Sequence, residues 1–153
     1  STETAWKLEI GKGKAEFKLR NKGKSPRRRR VMAAEFRSAK TTEQRRELSV
    51  HLLRNFSDRV PVVFDREAGT TTIPQLAKSR YLVPCRARVC QLAMLLRGWL
   101  NLHPTRAIYI LVPSRYGWRQ PAMHDTVGDV YRRSCDKDDG FLYAKYTGEV
   151  AFG

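Results

Sequence analysis

Cysteine is scarce in this sequence, and Cys85, Cys90 and Cys135 show no C-x-x-C spacing. An odd count of three without paired spacing argues against a disulfide framework and against a zinc site. It leaves reduced thiols, with Cys90 packed inside a helix, and no metal or cofactor is expected. Histidine is equally sparse. His51, His103 and His124 are scattered, no cysteine has a catalytic context, and the chain is not expected to be an enzyme. Long hydrophobic runs are missing too, since Leu92 to Leu96 and Ala107 to Val112 fall far short of the roughly eighteen residues of a spanning helix. No cleavable signal pattern opens the sequence, so a soluble cytoplasmic protein is expected.

Acidic residues are the other shortage, with fifteen Asp/Glu against thirty Lys/Arg, a formal net charge of +15. The excess is uneven. Residues 1–46 hold fifteen basic and five acidic side chains, whereas residues 47–153 hold fifteen and ten. A basic patch of this kind selects anionic partners, among which nucleic acid, anionic lipid and acidic protein segments are the candidates. A hydrophobic content of 41% in 153 residues suffices for one packed domain plus an extension.

Residues 1–31 read as a basic extension outside the core, expected to be flexible, with eleven Lys/Arg in the first thirty positions. Within it Trp6, Leu8 and Ile10 alternate with polar residues, as do Phe17 and Leu19, with Gly11-Lys-Gly13-Lys14 between them, which is the pattern of a hairpin. Two strands alone are marginal in water unless they dock on something. Residues 32–57 read as a helical subdomain. Met32 to Lys40 forms a short helix, and Thr41-Thr-Glu-Gln44 has capping-box spacing before Leu48, Leu52, Leu53 and Phe56, predicting a helix from about Thr42 to Asn55.

Residues 58–153 read as the main domain. A strand is predicted over Arg59 to Asp65, with Pro61 at a position whose amide no neighbour needs, and a second over Arg80 to Val83. Val89, Leu92, Ala93, Leu96 and Leu100 carry the strongest helical period in the chain, about Arg88 to Asn101. Ala107 to Val112 is a third strand, Ser114 to Asp125 a polar loop, and Thr126-x-x-Asp129 opens a short helix. Phe141 to Tyr146 is the fourth strand. Four strands around one long helix fit an α+β, ubiquitin-like β-grasp, to which the two N-terminal helices are additions.

Specific residues then carry a resemblance. Phe56-Ser-Asp-Arg-Val-Pro-Val62, Lys78-x-Arg-Tyr-Leu-Val-Pro84, Gly128-Asp-Val-Tyr131 and Asp138-Asp-Gly-Phe-Leu-Tyr143, running into Phe152-Gly153, follow in register. This resembles the ubiquitin-like autophagy modifiers, the family of GABARAP and the microtubule-associated light chains, over about Thr42 to Gly153. The resemblance implies a modifier whose terminal glycine, Gly153, is joined to the amine of phosphatidylethanolamine on autophagosome membranes. The nucleophilic cysteines would belong to its activating enzyme, its conjugating enzyme and a cysteine protease. With nothing after Gly153, the sequence reads as already processed, or as encoded so that no protease step is required.

The family also implies a surface for autophagy receptors that carry an aromatic-x-x-aliphatic motif, in which an extended peptide adds to the open edge of the second strand. By position, Leu52, Pro61, Val63, Arg80, Leu82 and Phe141 would line one pocket, and Tyr81, Val83, Pro84, Ala87, Leu92 and Leu95 a second. Arg59, Lys78 and Arg80 would face the acidic residues that precede such motifs. Departures from the family put Ala87 where Leu is usual and Leu92 where an aromatic is common, which implies a wider second pocket. Trp99 stands where an Arg is familiar and Leu48 replaces an acidic residue, so the protein either reads a different motif or has its pocket edge covered. The basic arm would engage anionic membrane, tubulin, RNA or its own domain.

Two other readings compete. The charge and the pI near 10.3 suit a nucleic-acid-binding protein, though no nucleic-acid motif appears. A sister autophagy modifier is attached to protein lysine instead of lipid, but its terminus is typically Trp-Gly, unlike Phe152-Gly153.

Overall fold

The computed structural model describes residues 4–10, 13–19, 32–70 and 72–148. Its strands are β1 (Thr4–Ile10), β2 (Gly13–Leu19), β3 (Arg59–Arg66), β4 (Arg80–Pro84), β5 (Tyr109–Ser114), β6 (Gly117–Arg119) and β7 (Leu142–Thr147). Its helices are α1 (Met32–Ala39), α2 (Thr42–Asn55), α3 (Val89–Leu100) and α4 (Val127–Ser134). The strands form one mixed sheet in the order β2-β1-β4-β3-β7-β5-β6. The four predicted strands are its centre, β4-β3-β7-β5, with β3 and β7 parallel in the middle. A hairpin is added on each side: β1–β2 beyond β4, and β6 folded back on β5.

Local chemistry explains where the elements begin. The Thr41 hydroxyl accepts from the Gln44 amide at 3.1 Å, and the Gln44 side chain accepts from the Thr41 amide at 2.9 Å, closing the capping box at the head of α2. The Thr126 hydroxyl caps α4 by accepting from the Asp129 amide at 3.2 Å. Helix α3 stops at Asn101, whose φ of 54° is the left-handed stop that Asn tolerates. Pro61 sits in β3 one residue before its ladder with β7 begins at Val62 and Leu142, so the missing N–H costs no bond there.

The central strands are buried on both faces. Val60, Val62, Phe64, Tyr81, Val83, Ile110 and Leu142 pack with α3 and α4 through Leu92, Leu96, Leu100, Val127 and Val130. On the other face Val63, Leu82, Phe141 and Tyr143 meet Phe36 of α1 and Leu48 and Leu52 of α2. Alternation along each strand therefore feeds two cores, which is why the central strands read as nearly continuous hydrophobic runs. Tyr146 closes one end of the larger core. Its hydroxyl accepts from the Leu76 amide at 3.0 Å and donates to the Pro74 carbonyl at 3.2 Å, and burial pushes the phenol up to about 12.

Candidate docking edge and flanking pockets

The β4 strand is where the predicted binding residues converge. The Phe64 amide donates to the Ser79 carbonyl and the Cys85 amide to the Asp58 carbonyl, both at 2.8 Å. Period-two alternation then turns the backbone groups of Tyr81 and Val83 towards β3, and those of Arg80 and Leu82 outward. The sequence reading has this outer edge open. In the structure β1 lies along it in parallel, Lys7 opposite Tyr81 and Leu8 opposite Leu82. Both partners gain: an edge strand leaves a row of N–H and C=O groups unpaired, and a two-stranded hairpin is not stable by itself.

The residues assigned to the first pocket are brought together as a packed cluster. Leu52, Val63, Leu82 and Phe141 are all fully buried, and Pro61 is buried beside them. Phe36, which sequence reasoning did not single out, stands edge-on to Phe141 with ring centroids 5.0 Å apart. The Arg80 guanidinium lies 5.7 Å from the centre of the same Phe36 ring. A lone aromatic in a short helix gives no sign of its partner, since this contact spans more than a hundred residues of sequence.

The second set is likewise assembled and covered. Tyr81, Val83 and Leu92 are buried, while Pro84, Ala87 and Leu95 are half-buried. The Trp99 indole stacks on the Tyr81 ring with centroids 4.0 Å apart and planes 7° from parallel, and meets Phe64 at 6.5 Å. A planar ring thus lies over the Tyr81 side of this cluster.

The three cations differ in setting. Arg59 is buried near Asp58, with Nε 3.9 Å from the carboxylate, and Lys78 is half-buried. Arg80 is also half-buried, and its Nε is buried without a hydrogen-bond partner. Burial lowers the pKa of its guanidinium, an effect that the nearby Glu35 carboxylate opposes. A desolvated guanidinium nitrogen with unused donor capacity favours an anionic partner.

A buried carboxylate ties the two N-terminal helices to the start of β7. Asp139 accepts from Arg45 Nε at 2.8 Å, from the Tyr143 hydroxyl at 2.6 Å and from the Phe141 amide at 3.0 Å. The Ser49 hydroxyl donates to the Asp139 carbonyl at 2.6 Å. Burial and the bond to Asp139 raise the Tyr143 phenol well above its ordinary value. Gly140 follows with φ of 82°, and a Cβ there would lie 2.6 Å from Ser49 Oγ, so both backbone shape and space demand glycine. Phe141 enters the first cluster from this fixed corner.

A cavity of about 470 Å³ lies elsewhere, on the α1 face between β7, β5 and β6. Arg37, Asp65, Trp118, Asp136, Tyr143 and Lys145 are among its walls. Its charges are mostly matched from within: Arg37 pairs with Asp136 at 3.3 Å and covers the Tyr143 ring at 3.9 Å. Lys145 pairs with Glu67 at 3.2 Å and lies 4.4 Å from the centre of the Trp118 ring. Sequence reasoning missed this site because β6 falls inside the segment read as a polar loop. Among the described residues no group of His, Cys, Asp or Glu side chains is arranged to hold a metal ion. The predicted conjugation residue, Gly153, lies outside the described residues.

A mixed sheet wrapped around α3, with α1 and α2 on its opposite face, defines a ubiquitin-like β-grasp with two N-terminal helices. Residues 44–153 match the family model described as "Autophagy protein Atg8 ubiquitin like", and the chain belongs to that family of ubiquitin-like modifiers. Among curated relatives, Autophagy-related protein 8D of Oryza sativa subsp. japonica is 33% identical over 118 residues, 77% of this chain and 96% of the relative. Autophagy-related protein 8 of Candida glabrata is 34% identical over 122 residues, 80% of this chain and 98% of the relative. The crystal structure of Trypanosoma brucei ATG8 superposes with a TM-score of 0.66 at 26% identity, covering 78% of this chain and 97% of that one.

Proposed function

We propose that this chain is a conjugatable modifier of autophagy, joined through Gly153 to phosphatidylethanolamine, which recruits receptor peptides to autophagosome membranes through the β4 side of its sheet. The observation that carries the reading is the reach of the family match, which extends to residue 153 and so takes in Phe152-Gly153. The chemistry is acyl transfer. The lipid amine attacks the Gly153 carbonyl carbon held as a thioester on the conjugating enzyme's cysteine, the C–S bond breaks, and the amine proton is lost as the amide forms. Glycine suits that step because no side chain obstructs the carbonyl in a narrow active site.

Receptor docking is supported by the convergence of Arg80 to Val83 with the two apolar clusters, and by the buried, unpartnered Arg80 Nε. Acidic residues flanking an aromatic-x-x-aliphatic motif would meet Lys78 and Arg80, where charge favours encounter and orientation, whereas Arg59 is buried beside Asp58.

The test is reconstituted lipidation with the cognate activating and conjugating enzymes. Gly153→Ala is expected to block transfer to phosphatidylethanolamine while leaving the fold and the unfolding midpoint unchanged. Lipidation of that variant at the wild-type rate refutes the conjugation reading. For docking, Tyr81→Ala and Leu82→Ala are poor probes, since both side chains are buried and removing a buried Leu costs about 2–5 kcal/mol of stability. Arg80→Glu is the better variant. It is expected to weaken a roughly micromolar acidic motif peptide, about 8 kcal/mol of standard binding free energy, by at least about tenfold. Unchanged affinity would move the docking surface away from β4.

A further inference from the structure

We propose that the β1–β2 hairpin is a built-in occupant of the receptor edge, closing β4 until a peptide displaces it. This rests on the docking reading above and adds to it a competitor carried by the same chain.

Three observations support it. The outward backbone groups on β4 belong to Arg80 and Leu82, and the register sets Lys7 opposite Tyr81, directly between them. A receptor strand adding to this edge needs those same groups, so hairpin and peptide exclude one another. The hairpin also lies outside the family match. Curated relatives are matched over 96% and 98% of their lengths by 118 and 122 residues of this 153-residue chain. The family match begins at residue 44 and runs to the last residue, which puts the surplus in front. Finally, the hairpin is tethered. A ligand on the same chain acts at an effective concentration on the order of mM, far above a micromolar peptide, which offsets the marginal stability of two strands.

Closure lowers apparent affinity by the fraction of molecules with the edge open, so a hairpin docked about nine-tenths of the time weakens peptide binding about tenfold. The register also indicates how to open it. Lys7, lying between Arg80 and Leu82, turns its amide towards β4, and proline there removes that donor.

The experiment compares the full chain with Lys7→Pro, using a fluorescein-labelled acidic peptide containing Trp-Glu-Glu-Leu in fluorescence anisotropy, with hydrogen exchange of the Leu82 amide as a second readout. The expected result is a protected Leu82 amide in the full chain, exposure of that amide in Lys7→Pro, peptide binding about tenfold tighter in the variant, and renewed protection when peptide is bound. Equal affinities together with an unprotected Leu82 amide in the free full chain overturn the inference and leave the docking reading standing. Equal affinities with a Leu82 amide that the peptide never alters, or no binding by either protein, overturn the docking reading and the inference with it.

Discussion

Replacing Asp139 by Ala tests the most connected polar group of the molecule. The side chains of Asp139 and Arg45 retain 1% and 13% of their exposure, and their atoms are 2.8 Å apart. Removing one partner of such a pair costs about 3–5 kcal/mol, because the desolvated partner is left uncompensated. Arg45 keeps two carbonyl acceptors, on Arg37 at 2.7 Å and on Lys40 at 2.6 Å, which draws the figure to the lower end. The Tyr143 hydroxyl and the Phe141 amide lose their acceptor as well. A loss of about 3 kcal/mol, set against a total of about 5–15 kcal/mol for an ordinary domain, is large. With a urea m-value of about 2 kcal/mol/M, the midpoint should fall by about 1.5 M. The control is Glu43→Ala, which removes an exposed pair between side chains retaining 48% and 72% of their exposure, and should cost less than about 0.5 kcal/mol. If circular dichroism in urea places both variants at the same midpoint, the carboxylate does not hold the corner, and the account of how Phe141 is positioned fails.

Asp65 offers a pH test. Burial raises its folded pKa above 3.8, so the folded state holds the proton more tightly than the unfolded chain, and the associated stability is present at low pH and lost as pH rises through the raised value. Asp65→Asn should therefore raise the urea midpoint at pH 7 and not at pH 3; a loss of equal size at both pH values would show that the carboxylate's hydrogen bonds matter more than its burial. Trp99→Ala removes the ring stacked on Tyr81 and should cost about 2–3 kcal/mol by chemical unfolding, less than full aromatic truncation because Trp99 is only half-buried. A cost below about 0.5 kcal/mol would mean the stack contributes no cover to the second cluster. The arm's cations are each worth on the order of 1 kcal/mol at an anionic bilayer, so changing Arg27, Arg28, Arg29 and Arg30 to Gln should cut sedimentation with phosphatidylserine vesicles at low salt at least about tenfold. Equal sedimentation would remove the membrane from the arm's candidate partners.

Much of the architecture was legible because its causes are local. The capping box of α2, the five-membered apolar period of α3 and the β-run of Ala107 to Val112 each announce an element through spacing alone, and all three are present. The hairpin in the basic arm was legible too, but its docking was not, since the pairing of Lys7 with Tyr81 joins residues whose closeness no periodicity encodes. Strand β6 was lost to its brevity: three exposed residues beginning at Gly117, whose φ is 101°, look like loop until they pair with β5. At the candidate site the family resemblance named residues that the fold brings together around β4, whereas the burial of the first set was not legible. Trp99 was flagged beside the second set by the resemblance, but Phe36 was not, and only the folded chain brings its ring to Phe141 and Arg80.

The β1–β2 hairpin also bears on how the protein stays dispersed. Without it, the sheet would end on Arg80–Pro84, a short strand with three buried apolar residues in a row, and a bare edge of that kind is a template for another molecule's strand. With it, the sheet ends on β2, whose sequence Gly-Lys-Ala-Glu-Phe-Lys-Leu places a charge at every second position from Lys14 to Lys18. Charged residues, lysine especially, discourage edge-to-edge aggregation. If β4 is the docking strand proposed above, the hairpin is also its gatekeeper, and each opening of that strand would briefly restore the sticky edge that the hairpin otherwise retires.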